Sequence, residues 1–437
     1  MNATRAERCD VAIVGAGMAG MAAALFASRE GLSCIQVGNP GGLLFASGLL
    51  DLLAIHPARA GAASLDPFAV HAALARDVPD HPLARVDAAS IRDAFAAFLG
   101  ALAGAGLRYA VLPERNRSVA TSLGTIKTTY ALPRTMAAGA DALASRPACL
   151  IVGIRGLREF SARQFVAAFG DRWPGLRHAE IDLPGAAAAP ELYAAHVARG
   201  LEAREARDRT IALVRAQQGD ARAVGLPAVL GLARADDVHA AFEAALGVPV
   251  FEIPTMPTSV PGLRLLGALE AAVAARGVRR YPQAQVRALA FDTDGNDATL
   301  ELDGAAGPGG RARVTARAVV LATGRFAGRG LVADRSSVRE AILGLPVAQP
   351  AARADWHRPD FLDPAGHPIN RAGLEVDDVW RPLDARGEPA WRRLFAVGSI
   401  LARQDWMREK CGTGLAVATA WAAVGHLARA LRSAPAG

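Results

Sequence analysis

The chain has 437 residues, 51% of them apolar and 21% charged, with a formal net charge of +7. At about 150 residues per domain, this length holds two or three folded units, and the composition is too apolar for a disordered protein. All but two of the basic residues are arginines, and they are scattered rather than gathered in one patch. The charge therefore points to weak steering toward anionic partners or acidic lipid surfaces, not to nucleic acid. Cys9, Cys34, Cys149 and Cys411 lie far apart, with no C-x-x-C spacing. No metal or iron–sulfur site is expected on this chain, and the reducing cytoplasm is its expected compartment.

Three uncharged stretches, residues 11–28, 31–50 and 411–428, approach the length of a membrane-spanning helix. Each carries a glycine turn: Gly15-Ala16-Gly17 in the first, Gly41-Gly42 in the second and Gly412-Thr413-Gly414 in the third. They read as buried strand, glycine turn and buried helix, not as spans.

In chain order, the pattern gives a strand at 11–14, a small-residue helix at 18–28 and a strand at 34–37. A stretch rich in Ala, Pro and His covers 56–85, followed by a helix near 89–104, a strand at 108–112 and a hairpin or edge strand within 121–131. From residue 148 the order becomes regular: strands at 149–152, 177–183, 223–230 and 248–253 alternate with helices at 158–169, 191–217 and 235–246. Residues 184–190 serve as a linker. That alternation implies a second α/β layer. Residues 254–261 hold three prolines in eight and form a joint. A helix at 262–276 then ends at Gly277, and strands follow at 278–281, 285–292, 298–302, 312–315 and 318–322, with 304–310 as a hairpin tip. Residues 325–391 are irregular, and a strand at 394–397 leads to a C-terminal helix at 414–431. The fold expected is α/β. A discontinuous Rossmann-like nucleotide-binding domain, 1–60 plus 255–437, is interrupted by an inserted α/β domain, 61–254, closing over its cleft.

The clearest chemical signal is Gly15-Ala16-Gly17-Met18-Ala19-Gly20 between the first strand and the first helix. Gly15 permits the tight turn, Gly17 lets backbone approach a phosphate and Gly20 lets the helix sit close to the strand, while the helix N-terminus favours an anion. A dinucleotide site usually carries an acidic residue at the end of the second strand for the adenosine ribose. Here that place reads Gln36-Val37-Gly38-Asn39. Phosphate binding without the ribose acid suggests FMN, or FAD whose ribose is held by Asn39 or by backbone. Asn39 reads equally well as a turn residue. Two late turns, Thr323-Gly324 and Gly398-Ser399, each end a buried strand, and Gly412-Thr413-Gly414 opens the last helix. Helix N–H groups aimed at an isoalloxazine would stabilise negative charge on it, so these turns favour flavin over nicotinamide.

With these motifs, the sequence resembles the B subunits of anaerobic glycerol-3-phosphate dehydrogenases, within the wider succinate-dehydrogenase-like flavoproteins. Besides the first glycine turn, the resemblance rests on residues 46–53, 123–129, 152–157, 254–260, 330–335, 339–345 and 394–399, and so spans nearly the whole chain. It implies an FMN-containing subunit working with an FAD-containing A subunit, and an iron–sulfur C subunit that anchors the pair at the inner face of the membrane. Together they would oxidise sn-glycerol 3-phosphate to dihydroxyacetone phosphate and pass electrons to quinone. Ser47 and Gly48, in the first of these strings, join the cofactor-binding set on that basis.

Within that reading Arg335 and Arg339, four apart, would share a helical face and grip a phosphate, or else pair with Asp334 or Glu340. Arg264 follows the proline joint and is a third phosphate candidate. Oxidation of a secondary alcohol needs an acceptor for the hydroxyl proton, and His56, His81 and His357 are the candidates, each in a loop-like stretch. Lys127 is a candidate to stabilise reduced flavin or a surface strand lysine. Cys411 is a candidate flavin contact or a small buried hydrophobe. Three other readings stay open: a flavin subunit that only relays electrons or assembles the complex, an unrelated FAD-dependent dehydrogenase of a small hydroxy acid, and a non-enzymatic scaffold.

Overall fold

The computed structural model describes residues 5–58, 61–183, 191–305 and 310–433, so the expected linker at 184–190 and most of the tip at 304–310 lie outside the described residues. The chain forms two compact units. One comprises Met1–Gly42, Asp51–Ala101 and Leu269–Gly437, the other Leu43–Leu50 and Leu102–Ala268.

The first unit opens with strand β1 (Arg5–Val14), helix α1 (Met18–Arg29) and strand β2 (Cys34–Val37). Helices α2 (Pro67–Asp77) and α3 (Ala88–Gly104) follow. Asp66 caps α2, its carboxylate accepting from the Phe68 and Ala69 N–H groups, with Pro67 at the first helical position. Residues 61–101, expected in the insertion, pack instead within this unit. Arg85 donates to the Val376 carbonyl and lies over the Trp380 ring, and His81 is bonded to Glu409.

Within α3 the chain passes into the second unit, which holds β3 (Tyr109–Val111), β4 (Arg117–Ala120), β5 (Ile126–Thr129), β6 (Ala131–Pro133) and α4 (Ala137–Ser145). The regular α/β run then comes as β7 (Cys149–Ile154), α5 (Ala162–Phe169), β8 (Leu176–Ile181), α6 (Ala194–Gly200), α7 (Arg204–Gln218), β9 (Ala223–Pro227), α8 (Ala235–Leu246) and β10 (Val250–Ile253). Its four strands form one parallel sheet in the order β10-β9-β7-β8. Strands buried on both faces read as apolar runs, which is why this sheet is legible in sequence. The single long helix expected at 191–217 is two helices, broken after Gly200.

Helix α9 (Val260–Ala274) carries the chain back to the first unit. There follow β11 (Arg279–Tyr281), β12 (Gln285–Phe291), β13 (Ala298–Asp303), β14 (Arg311–Leu321), β15 (Leu331–Ala333), β16 (Val338–Glu340), β17 (Leu394–Ala396), α10 (Trp406–Glu409) and α11 (Gly412–Arg432). The unit's sheet runs β11-β2-β1-β14-β13-β12, and β17 also pairs β14. Strands β11, β2, β1, β14 and β17 are parallel, while β12 and β13 add an antiparallel meander. β14 is one strand in place of the two expected. Its first half pairs β13 and alternates buried with exposed residues, and its second half pairs β17 and is wholly buried, so the sequence changes pattern within it.

Nearly every side chain of α1 from Ala19 to Ala27 is buried, and α11 packs beside it, with Phe26 edge-on to Trp421. Among the described residues, α11 is the one helix long and apolar enough to cross a membrane. Two thirds of its apolar window is buried inside the protein, as in a core helix.

Candidate functional site

The first glycine turn forms where β1 meets α1. Gly15 has φ 120°, and a Cβ there would lie 2.2 Å from the Ala322 carbonyl oxygen; a Cβ on Gly20 would lie 2.0 Å from the Gly15 carbonyl oxygen. The crossing of β1, β14 and α1 is thus too tight for any side chain. Gly17 differs: a Cβ would meet nothing within 4 Å, and no side chain caps α1, so its N-terminal N–H groups look into open space. A turn of this form fits a phosphate at the helix N-terminus. Ala16 is buried, and Met18 is half-buried at the helix start.

The later turns converge on the same place. A Cβ on Gly398 would lie 2.5 Å from the Ala19 Cβ, joining the end of β17 to the first turn of α1. Thr419 of α11 accepts from the Gly398 N–H at 2.9 Å, and Gly324 faces the Ser399 hydroxyl. Thr323 Oγ1 is buried with no partner among the described residues, a donor awaiting a ligand. At the start of α11, no side chain caps the helix, and a Cβ on Gly414 would lie 2.1 Å from the Leu52 carbonyl oxygen; Thr413 is buried and Gly412 is partly exposed. An open glycine turn, an unpartnered buried hydroxyl and a second helix N-terminus without a side-chain cap, its Gly414 N–H donating to the Asp51 carbonyl, make a set that fits a flavin nucleotide, which would supply the hydride acceptor.

Gln36 is fully buried. Its amide donates to the Gly15 carbonyl at 3.3 Å and accepts from Arg280 at 3.2 Å, so it shapes the turn. Asn39, past the end of β2, is exposed. Ser47 and Gly48 belong to the second unit, where a Cβ on Gly48 would crowd Pro261 and Pro133.

Arg264 is not available to a substrate phosphate. It is buried in the second unit, donating to both carboxylate oxygens of Glu252 (2.5 and 2.9 Å) and to the Gly231 carbonyl. Glu252 also accepts from Thr135 and from the Leu230 N–H. Burial alone would raise the Glu252 carboxyl, but Arg264 and these donors hold it below the usual carboxylate range. Arg335 and Arg339 share no helix. They sit on the β15–β16 hairpin, where Arg335 is in the exposed turn and Arg339 lies 3.6 Å from Asp334. The Ser336 and Ser337 N–H groups hold the Asp334 carboxyl down at about 2. The hairpin breaks the shared face on which a joint phosphate grip depends.

The histidines separate by environment. His357 is exposed, its ring 5.2 Å from that of His367. His81 is buried, and its Nδ1 accepts from the Leu83 N–H at 3.1 Å. Nε2 therefore carries the proton and donates to Glu409 Oε2 at 3.1 Å, leaving the neutral ring no lone pair for a substrate proton. Burial raises the Glu409 carboxyl, but the His81 hydrogen bond, with the Asp405 N–H, brings it below its ordinary value. His56 points Nε2 at Asp77 Oδ2, 3.1 Å away. A carboxylate only accepts, so Nε2 carries a hydrogen, and in the neutral ring Nδ1 is an acceptor. His56, His81 and Glu409 line one cavity of about 440 Å³ in the first unit.

Cys411 is buried, and burial, with Glu409 beside it, pushes its thiol well above the usual range. It behaves as a small apolar side chain. Lys127 lies on β5 in the second unit. Among the described residues no group of three or more His, Cys, Asp or Glu side chains is arranged to hold a metal. Asp77, Glu409 and Gln36 are the functional neighbours that sequence reasoning missed. Glu409 lies 328 residues from His81 and Asp77 lies 21 from His56, and neither spacing follows a helical or strand period.

Residues 10–415 match the FAD binding domain family. The chain is 33% identical over 428 residues to a probable B subunit of anaerobic glycerol-3-phosphate dehydrogenase from Halobacterium salinarum, covering 95% of this chain and 96% of that one. It is 27% identical to the B subunit of the anaerobic glycerol-3-phosphate dehydrogenase of Vibrio vulnificus, covering 95% of each chain. The corresponding B subunit of Yersinia pestis is 29% identical, with 94% of this chain and 96% of that one covered. These matches support a flavin and lend no support to FMN, the cofactor expected from the missing ribose acid and from the resemblance. A cradle of glycine turns at the ends of β1, β14 and β17, matched over nearly its whole length in this way, places the chain in the FAD binding domain family of flavoproteins, among the B subunits of anaerobic glycerol-3-phosphate dehydrogenases.

Proposed function

We propose that this chain is the flavin-bearing B subunit of a quinone-linked dehydrogenase that oxidises sn-glycerol 3-phosphate to dihydroxyacetone phosphate, with FAD as its cofactor. One observation carries the reading: similarity along 95% of the chain to proteins named for that activity. The convergent glycine turns support this reading, as a site with room for the flavin. Loss of the ribose acid is compatible with FAD if the adenosine is held by backbone or by Asn39 beyond β2. An FAD-containing A subunit, an iron–sulfur C subunit and a peripheral position at the inner membrane face complete the proposal. Support for these partners is the subunit designation of the relatives.

Cofactor extraction tests the chemistry at its root. Denaturing the purified yellow protein and identifying the released flavin chromatographically is expected to give FAD. Release of FMN would return the assignment to the mononucleotide, and a colourless protein would overturn the flavin reading altogether.

A further inference from the structure

The cavity of about 440 Å³ in the first unit has a polar lining that is almost entirely satisfied from within. Arg403 donates to Glu375 at 2.7 and 3.0 Å and to Asp80 at 2.9 Å. Glu409 accepts from His81 and from the Asp405 N–H. Two groups stand apart. Arg371, exposed at the cavity wall, has no hydrogen-bond acceptor among the described residues, and its charge acts on Glu409. The Nδ1 atom of His56 likewise has no partner there, while Asp77 fixes the opposite side of the ring. Leu74 and the prolines of the wall supply an apolar lining.

The guanidinium of Arg371 is solvated, and its planar fork matches a phosphate through paired hydrogen bonds. In its neutral form an imidazole oriented by a carboxylate on one nitrogen accepts a hydroxyl hydrogen bond through the other. We infer that this cavity binds a compact phosphomonoester, with Arg371 on the phosphate and His56 Nδ1 accepting from a hydroxyl of the same ligand. This assigns the phosphate to a residue that none of the three sequence candidates included. The naming of glycerol 3-phosphate as that ligand rests on the proposed function; the anion site rests on the cavity.

The test is calorimetric titration of the purified, flavin-loaded protein with inorganic phosphate, with glycerol 3-phosphate and with glycerol. Arg371→Gln and His56→Ala are compared with wild type and with Arg204→Gln, a change on the exposed face of α7 in the other unit. Circular dichroism and melting confirm that each variant is folded. The expected result is saturable binding of both phosphate compounds to wild type and to R204Q, weakened about tenfold or more in R371Q by loss of a charge-assisted hydrogen bond. H56A is expected to lose affinity for glycerol 3-phosphate and to keep that for phosphate. Equal affinity in R371Q and wild type, or no binding of either phosphate compound to wild type, would overturn the site. Arg371-dependent binding of phosphate without binding of glycerol 3-phosphate would support the site and remove the proposed substrate.

Discussion

Gly15 combines φ 120° with a carbonyl oxygen 2.2 Å from where a Cβ would stand. Gly15→Ala must therefore shift either α1 or the end of β14, at a cost of about 2 kcal/mol or more. The expected outcome is a lower melting temperature together with a lower flavin-to-protein absorbance ratio. The buried pair Arg264–Glu252 makes a second residue-level case, because removing one partner strands the other charge. Arg264→Met is expected to destabilise by about 3–5 kcal/mol, and the same change in a Glu252→Gln background by much less. Chemical denaturation of the four proteins measures both values. The pair also fixes a pH dependence. The folded-state value of Glu252 is lowered, so its contribution is complete above the unfolded glutamate value of about 4.3 and is lost as pH falls through the lower native value. Wild type should lose more stability than the double variant on acidification through that window, and parallel loss in both would contradict the coupling.

Elements are held at the site by contacts that glycine alone allows. Gly398, at φ 75°, lets the end of β17 meet the first turn of α1, with a Cβ position 2.5 Å from that of Ala19. Gly398→Ala should push the two apart and weaken flavin retention about tenfold or more while α11 stays folded, a cost of roughly 1–3 kcal/mol. Flavin fluorescence released on dilution, set against helical circular dichroism, measures the two effects separately. At this scale the sequence is most informative where physics is local. β1, α1 and the parallel strands of the second unit follow from apolar runs punctuated by glycine. The unit boundaries are not legible, because the chain changes units inside the continuous helices α3 and α9, while the proline joint at 254–261 falls within the second unit. The glycine turns of the cradle can be read for the same local reason. The partners that decide the roles of His81 and Arg264 cannot, since Glu409 and Glu252 are brought to them only by tertiary packing.

For the whole molecule, the +7 charge acquires a narrower meaning. Many arginines among the described residues are committed to ion pairs or carbonyls, as Arg264, Arg317 and Arg403 show, and Arg371 lines a cavity. The three long uncharged stretches prove to contain β1, α1, β2 and α11, the walls of the cradle, with α11 mostly buried. Under the proposed function, membrane association comes through a partner. The flavin-loaded protein, mixed with its partner subunits and acidic-lipid vesicles, should sediment with the vesicles only when the anchoring subunit is present; sedimentation of this chain alone would contradict that. The most direct measurement is anaerobic addition of glycerol 3-phosphate to the purified flavin-loaded chain while the visible absorbance of the oxidised flavin is followed in a stopped-flow instrument. Bleaching that saturates with glycerol 3-phosphate and is absent with glycerol is expected of a subunit that oxidises this substrate on its own flavin; a spectrum unchanged at saturating glycerol 3-phosphate would contradict it.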